Sequence, residues 1–229
     1  MEHLSTIDHR RFKDDLYAEF ARIGHALGSP KRLEMLDLLA QRPWTVDELA
    51  REMGLSTANA SQHLQVLLRA RLVEVRREGT RAYYRLSGED VYRSWRALRE
   101  LAESRLAEVQ AVVRRYLGER HKVEALNPSE LLRRAEAGEV TLLDVRPAEE
   151  YQAGHIPGAR PVPLVELRRL VKTLPKKREI VVYCRGPYCV FADEAVALLR
   201  SHGFMPRRLS LGVPDWQALG YPVQGRTQA

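Results

Sequence analysis

The sequence of 229 residues predicts two domains: a mainly helical domain with a β-hairpin, then an α/β domain whose parallel sheet is flanked by helices. Three observations support this. Apolar residues recur at helical spacing through most of residues 12–118, and a pair of short strand patterns meets near residue 79. Beyond residue 122, strand, loop and helix patterns alternate, which favours a parallel sheet. We place the domains at residues 1–120 and 121–229.

Charge and hydropathy narrow the class of protein only partly. The formal net charge of +7 is compatible with a nucleic-acid partner. Residues 1–122 hold 22 basic and 18 acidic side chains, and residues 123–229 hold 15 and 12, so the excess is spread over both halves. No apolar run reaches the length of a bilayer span, and the first residues lack the order of a signal peptide. We therefore expect a cytoplasmic protein with no membrane partner.

Four helices are predicted before the hairpin. The first is amphipathic over residues 12–27. Pro30 suits the first position of the second helix, where no N–H donor is needed. Thr45 and Glu48 have the spacing of a capping box at the start of the third. Ser56 suits the N-cap of the fourth.

The fourth helix has a polar face opposite its apolar stripe. Short amide and hydroxyl side chains of this kind can bond base edges in a major groove. The candidates are Thr57, Asn59, Ser61, Gln62 and Gln65. A solvated helix face is the commoner explanation for such a pattern, but a basic hairpin follows directly. Its arginines suit phosphate contacts, and the candidates are Arg76, Arg77 and Arg81.

Residues 14–118 resemble the ArsR-type winged helix-turn-helix regulators. The resemblance is carried by residues 26–33, by residues 61–64 and by the hairpin, which would be the wing. It implies a homodimer that binds double-stranded DNA at a palindromic operator as a repressor released by an inducer. The helical pattern over residues 89–118 could supply the two-fold interface together with the first helix. Packing against the second domain is the alternative.

The helical domain lacks the cysteines with which metal-sensing relatives bind their ligand, so we expect its signal to arrive elsewhere. Both cysteines of the chain, Cys184 and Cys189, lie between a buried strand and a helix. Backbone N–H groups and the helix dipole favour an anion at such a position, which predicts a lowered pKa for the Cys184 thiol. Nothing nearby clearly completes a two-cysteine metal site. We expect no metal and no cofactor.

Residues 123–225 resemble the rhodanese domain in four pieces that occur in the right order. The pieces are residues 143–146, 150–159, 182–186 and 211–223. The resemblance implies a rhodanese-like fold in which Cys184 accepts a sulfane sulfur as a persulfide from a donor such as thiosulfate or polysulfide. Asp144 and Arg146 match family positions. We expect a structural role for Asp144 and anion contacts for Arg146 and Arg185. Val190 stands where related phosphatases need an arginine, which argues against phosphatase chemistry.

Cys189 has two interpretations: it attacks the Cys184 persulfide, or it packs as a small apolar residue at the start of the helix. For the whole chain, we predict a DNA-binding repressor that senses sulfane sulfur through Cys184. The alternative is a thiosulfate-type sulfurtransferase with a DNA-binding appendage. A third interpretation makes the rhodanese domain an inert binding module.

Overall fold

The computed structural model describes residues 8–118, 126–176 and 178–225. It divides into two compact units, one up to Val91 and one from Tyr92 onward. The boundary predicted at residues 120 and 121 lies outside the described ranges and stays a prediction. The structural division falls earlier, inside a helix.

The first unit combines four helices with a small antiparallel sheet. Strand β3 lies between β1 and β2, and β2 and β3 form the predicted hairpin. The core includes Met35, Leu36, Leu49, Leu64 and Leu67, none of which is exposed. The elements are α1 (His9–Leu27), α2 (Pro30–Gln41), β1 (Trp44–Thr45), α3 (Val46–Glu52), α4 (Thr57–Arg69), β2 (Val73–Glu78) and β3 (Arg81–Leu86).

Local capping sets the starts of the helices that position the polar face of α4. The Thr45 side chain accepts from the Glu48 N–H, and the Glu48 carboxylate accepts from the Thr45 N–H at 2.8 Å, which completes the predicted capping box. The Ser56 hydroxyl accepts from the Asn59 N–H at 3.2 Å. The predicted cap residues of α3 and α4 are confirmed.

The helical pattern over residues 89–118 forms two helices, α5 (Glu89–Arg105) and α6 (Ala107–Leu117). Leu106 separates them with an extended backbone, φ −110° and ψ 102°. Neither proline nor glycine stands at the break, so the sequence contains none of the usual signals for it. The division between the units falls between the third and fourth residues of α5.

The second unit is a four-stranded parallel sheet in the order β5-β4-β6-β7, with helices on both faces. Val181 and Val182 of β6 belong to different apolar clusters, since alternate residues of a strand point to opposite faces. The elements are α7 (Pro128–Glu136), β4 (Val140–Asp144), α8 (Ala148–Ala153), β5 (Arg160–Pro161), α9 (Leu164–Leu170), β6 (Glu179–Tyr183), α10 (Val190–Ser201), β7 (Pro206–Arg208) and α11 (Val213–Ala218). The predicted fold class is confirmed.

Candidate functional site

The two cysteines are the first and last residues of the segment 184–189, which we call the cysteine loop. Cys184 follows the last residue of β6, and Cys189 is the N-cap of α10. In parallel α/β sheets, ligand sites lie beyond the carboxyl ends of the strands, and the loop occupies that position. Both thiols are free; Cys184 is 1% exposed and Cys189 is half-buried.

The Cys184 thiol is buried. Its Sγ donates to the main-chain carbonyl of Cys189 at 3.4 Å. Burial raises the pKa of the Cys184 thiol well above its ordinary value, and the hydrogen bond and charge of Cys189 raise it further. Backbone hydrogen bonds from Gly186 and Ala192 act in the opposite direction but are weaker. The predicted lowering of the Cys184 pKa is therefore wrong for this reduced state, because desolvation outweighs the backbone donors.

Cys189 carries the acidic thiol of the pair. The hydrogen bond from Cys184 lowers the pKa of Cys189 to about 7, against the effect of burial. Backbone hydrogen bonds from Arg185 and Phe191 and the positive charge of Arg185 contribute. Of the two thiols, the loop thus favours the thiolate form at Cys189, which the thiol of Cys184 stabilises.

Arg185 is held by a buried carboxylate rather than being open to solvent. Its Nη2 and Nε donate to Glu150 Oε1 at 2.6 and 3.0 Å, and the Glu150 side chain is 0% exposed. Glu150 comes from α8, so this pair fixes the arginine that follows Cys184 against a neighbouring element. In the present arrangement Arg185 acts on the Cys189 thiol through its charge, and its predicted anion contact stays a prediction.

Asp144 and Arg146 form a buried pair at the end of β4. Arg146 Nη2 donates to Asp144 Oδ2 at 2.6 Å and to the Gly154 carbonyl at 2.7 Å, and neither charged side chain is exposed. The Tyr183 hydroxyl also donates to Asp144 Oδ2, at 2.7 Å. The guanidinium of Arg146 is thus buried against a carboxylate and a carbonyl. The structural role of Asp144 and the anion contact of Arg146 stay predictions.

The loop before α11 packs directly against the backbone that follows Cys184. A Cβ atom on Gly212 would overlap the main-chain carbonyl of Arg185 and lie 3.0 Å from the Gly186 nitrogen. The Gly212 N–H donates to Asp215 Oδ2 at 3.1 Å, and Asp215 is fully buried. Only glycine therefore fits between these two loops in this arrangement.

Two residues of α5 bind the other oxygen of Asp215. The Tyr92 hydroxyl donates to Asp215 Oδ1 at 2.8 Å, and Arg99 Nη2 donates to the same atom at 2.6 Å. A further α5 residue, Glu103, accepts from the hydroxyl of Tyr188 in the cysteine loop at 2.7 Å. Packing of this helical pattern against the second predicted domain was the alternative to the dimer, but the sequence did not predict these partners. The only signal was the rhodanese-like match around Asp215, which says nothing of partners more than a hundred residues away.

The predicted DNA-binding side chains lie on α4 and on the hairpin of the first unit. Of the α4 candidates only Ser61 is half-buried, while Thr57, Asn59, Gln62 and Gln65 are exposed. Thr57 donates to Asp47 at 3.0 Å. The hairpin arginines Arg76, Arg77 and Arg81 are all exposed. The structure thus leaves the polar end of α4 and the basic wing accessible.

The described residues contain neither a candidate membrane span nor a candidate metal cluster. None of the helices among them combines the length and the apolar composition needed to cross a membrane. Across the same ranges, no three histidine, cysteine or acidic side chains cluster in a way that could hold a metal ion.

A winged helix-turn-helix unit followed by a rhodanese-like unit with a cysteine loop defines the class of the protein. Family models agree: a helix-turn-helix domain matches residues 27–76 and a rhodanese-like domain matches residues 127–219. The chain is 47% identical over 211 residues to the HTH-type transcriptional regulator Rv0324 of Mycobacterium tuberculosis, and the match covers 92% of each chain. The protein therefore belongs to this family of transcriptional regulators, with an ArsR-type domain followed by a rhodanese domain.

Other relatives match one part of the chain each. A sulfurtransferase of Allochromatium vinosum is 32% identical over 93 residues, which are 40% of this chain and 84% of that protein. A solution structure of the homodimeric winged helix-turn-helix DNA-binding domain of Mb0332 from Mycobacterium bovis, a possible ArsR-family regulator, shares 42% identity. That likeness covers 44% of this chain and 92% of the solved one, with a TM-score of 0.41.

Proposed function

We propose that this transcriptional regulator senses sulfane sulfur, which Cys184 accepts as a persulfide, and that the modification weakens its binding to an operator. One observation supports this best. The buried Cys184 thiol lies beside Cys189, 3.4 Å from its main-chain carbonyl, and a side-chain hydrogen bond from Cys184 lowers the pKa of the Cys189 thiol to about 7. A nucleophilic thiolate needs such a neighbour when burial disfavours its own ionisation.

With thiosulfate as the donor, the outer sulfur of thiosulfate is transferred to Cys184 and sulfite is released. Cys189 takes the proton of Cys184, and the Cys184 sulfur attacks the outer sulfur of thiosulfate. The S–S bond of thiosulfate breaks, and sulfite leaves with its electron pair. Cys184 then carries a persulfide anion, which backbone hydrogen bonds from Gly186 and Ala192 would stabilise.

Cys189 can then resolve the persulfide. Cys189 gives up the proton that it took, its thiolate attacks the inner sulfur of the Cys184 persulfide, and a Cys184–Cys189 disulfide forms. The outer sulfur leaves with its electron pair and takes up that proton as hydrosulfide. The outer sulfur of the persulfide is the oxidant for this step, since it is reduced to hydrosulfide as the two cysteines form the disulfide. The lowered pKa of Cys189 favours this interpretation over that of a merely packed apolar residue.

For DNA binding we propose a homodimer that acts in the cytoplasm at a palindromic operator. Helix α1 supports the dimer, because its side chains Phe12, Tyr17 and Phe20 are 56%, 66% and 60% exposed. An exposed aromatic row of this kind is typical of an interface. In each protomer the exposed α4 side chains would contact bases, and the hairpin arginines would contact phosphates.

The test compares operator binding before and after polysulfide treatment, for the wild type and for Cys184→Ser, with intact-protein mass spectrometry on each sample. We expect the wild type to gain sulfur mass and to lose at least tenfold in operator affinity, and the variant to keep its affinity even where Cys189 gains sulfur. Equal responses of both proteins would refute the sensor.

The second candidate is a sulfurtransferase placed near DNA by its first unit. The sulfurtransferase relative and the acidic thiol at Cys189 favour it. Turnover of thiosulfate with cyanide, without any effect on operator affinity, would select this candidate. Absence of sulfur uptake by Cys184 would leave the rhodanese domain as a binding module.

A further inference from the structure

Helix α5 is linked to the cysteine loop at two points, both within the second unit. The first, the Tyr188 link, is the 2.7 Å hydrogen bond from the Tyr188 hydroxyl to Glu103 Oε1. The second, the Asp215 link, joins Asp215 to Tyr92 and Arg99 at 2.8 and 2.6 Å. Three side chains along one helix therefore hold the two loops that surround the thiols.

The Asp215 link is connected to the backbone of the cysteine loop through Gly212, which contacts both Asp215 and Arg185. Asp215 binds the Gly212 N–H, and Gly212 lies so close to the Arg185 carbonyl that a single added carbon would overlap it. A displacement of Arg185 toward Gly212 therefore has to displace Gly212 as well, and Asp215 with it. Since Asp215 is fully buried, its bonds to α5 cannot be exchanged for water without a cost.

The Tyr188 link is a neutral donor bonded to a carboxylate. Burial and the hydrogen bond and charge of Glu103 raise the pKa of Tyr188 to about 12, so its hydroxyl keeps its proton at neutral pH. A charge-assisted bond of this length is among the stronger side-chain hydrogen bonds. Tyr188 directly precedes Cys189, so any rearrangement of Cys189 acts on this bond.

The thiol site leaves little room for an added atom. Cys184 is 1% exposed and lies in an apolar cluster with residues of β6 and α10. Inserting even one methylene-sized group into a packed interior forces side chains and backbone to shift. A persulfide or disulfide at Cys184 would therefore move the cysteine loop rather than fill an existing cavity.

We propose that α5 responds to the chemical state of the cysteine loop through the Tyr188 and Asp215 links, and that it is the element that carries the signal toward the DNA-binding unit. This inference rests on the proposed sensor function for its biological meaning. Helix α5 is suited to the task because Val91, near its start, is buried in the core of the first unit. A rigid helix with contacts that exist in two arrangements can couple distant sites.

The test is built on Glu103, which lies on α5 and outside the thiol site. Glu103→Ala removes the acceptor of the Tyr188 link, and Glu103→Gln keeps an acceptor oxygen without the charge. Glu100→Ala is the matched control, because Glu100 is an exposed carboxylate of the same helix that pairs with Arg96 and not with Tyr188; Arg96 itself approaches Asp215 Oδ1 only to 4.0 Å. All four proteins, wild type included, are studied as the full chain.

The first measurement needs neither sulfur nor DNA. Iodoacetamide alkylates the cysteine loop, and hydrogen exchange of the amides of residues 92–105 is compared before and after. We expect alkylation to speed exchange at least threefold in the wild type, in Glu103→Gln and in Glu100→Ala. In Glu103→Ala we expect fast exchange already before alkylation. Unchanged exchange in the alkylated wild type would overturn the inference, whatever the sulfur chemistry.

The second measurement follows operator affinity and sulfur mass after polysulfide treatment. We expect Glu103→Ala to gain the same sulfur mass as the wild type but to lose most of the tenfold affinity change, while Glu103→Gln and Glu100→Ala keep it. A full response of Glu103→Ala would refute the coupling through α5. Failure of the wild type to gain sulfur, or to change its affinity, would instead refute the sensor function, and the exchange measurement would still decide the inference.

Discussion

The Cys184 thiol donates a hydrogen bond to the main-chain carbonyl of Cys189, with 3.4 Å between sulfur and oxygen. The pKa of Cys184 is raised well above the ordinary value by burial, while a side-chain hydrogen bond between the two thiols, separate from the bond to the carbonyl, lowers that of Cys189 to about 7. The pair thus divides the negative charge and the proton between two residues, whereas a single cysteine would have to carry both. Cys189 holds the charge, and Cys184 holds the proton at the bottom of the loop.

This separation predicts which thiol is alkylated first and at what pH. The thiolate is the nucleophile, so the rate of alkylation of Cys189 should fall about tenfold per pH unit below its pKa of about 7 and level off above it. Iodoacetamide labelling followed by peptide mass spectrometry measures the rate at each cysteine. We expect Cys184 to react more slowly than Cys189 at every pH from about 6 to 9. This range runs from about one unit below the pKa of Cys189 to about two units above it.

The Cys184→Ala variant supplies the control. It removes the hydrogen bond that is the largest cause of the lowered Cys189 pKa, so the midpoint of the Cys189 profile should move upward toward that of an ordinary thiol. An unchanged midpoint would show that the backbone donors and Arg185, rather than Cys184, stabilise the Cys189 thiolate.

Gly212→Ala tests how closely the loop before α11 packs against the cysteine loop. The added Cβ would overlap the Arg185 carbonyl, which is backbone and cannot rotate away. We expect a loss of about 1–3 kcal/mol in the free energy of unfolding of the second unit, the usual cost of overpacking. Chemical denaturation followed by tryptophan fluorescence measures it, since Trp216 is fully buried beside this loop.

Gly24→Ala is the comparison for that variant. Gly24 lies within α1, and a Cβ there would meet nothing within 4 Å. Alanine has the higher helix propensity, so we expect no loss and a gain of up to about 1 kcal/mol. Equal stability of Gly212→Ala and the wild type would mean that the loops separate at little cost, which would weaken the Asp215 link as a route to α5.

How far the sequence could predict this molecule depends on how local each feature is. The capping box joins Thr45 and Glu48, only three positions apart, and was predictable, as was the place of Cys184 after a strand. The bond between Tyr92 and Asp215 joins residues 123 positions apart, and no local pattern encodes such a pairing. The raised pKa of Cys184 was missed for the same reason, because burial arises from tertiary packing.

The buried pair of Asp144 and Arg146 should matter for stability rather than for sulfur chemistry. Asp144→Ala leaves the guanidinium of Arg146 buried without its carboxylate and removes the acceptor of the Tyr183 hydroxyl. Breaking a buried pair of this kind costs about 3–5 kcal/mol. We expect chemical denaturation to show a loss of this size in the free energy of unfolding. Replacing both partners by apolar residues, Asp144→Leu with Arg146→Met, should cost less than Asp144→Ala alone. A larger cost for the double variant would contradict this account.

The exposed side chains of the first unit should divide into those that contact phosphates and those that contact bases. Arg77→Ala removes an exposed cation from the wing, so operator and unrelated DNA should be bound more weakly by similar factors, and the slope of log affinity against log salt should fall by about 1. Gln62→Ala should leave that slope unchanged and cost about 1–3 kcal/mol on the operator alone. Arg200→Ala, an exposed arginine of α10, is the control and should change neither. Titrations at several salt concentrations measure both quantities.

Two results would contradict this division. If Gln62→Ala weakened binding to all sequences equally, α4 would not be the helix that distinguishes bases. If Arg200→Ala had an effect as large as that of Arg77→Ala, the wing would not be part of the interface.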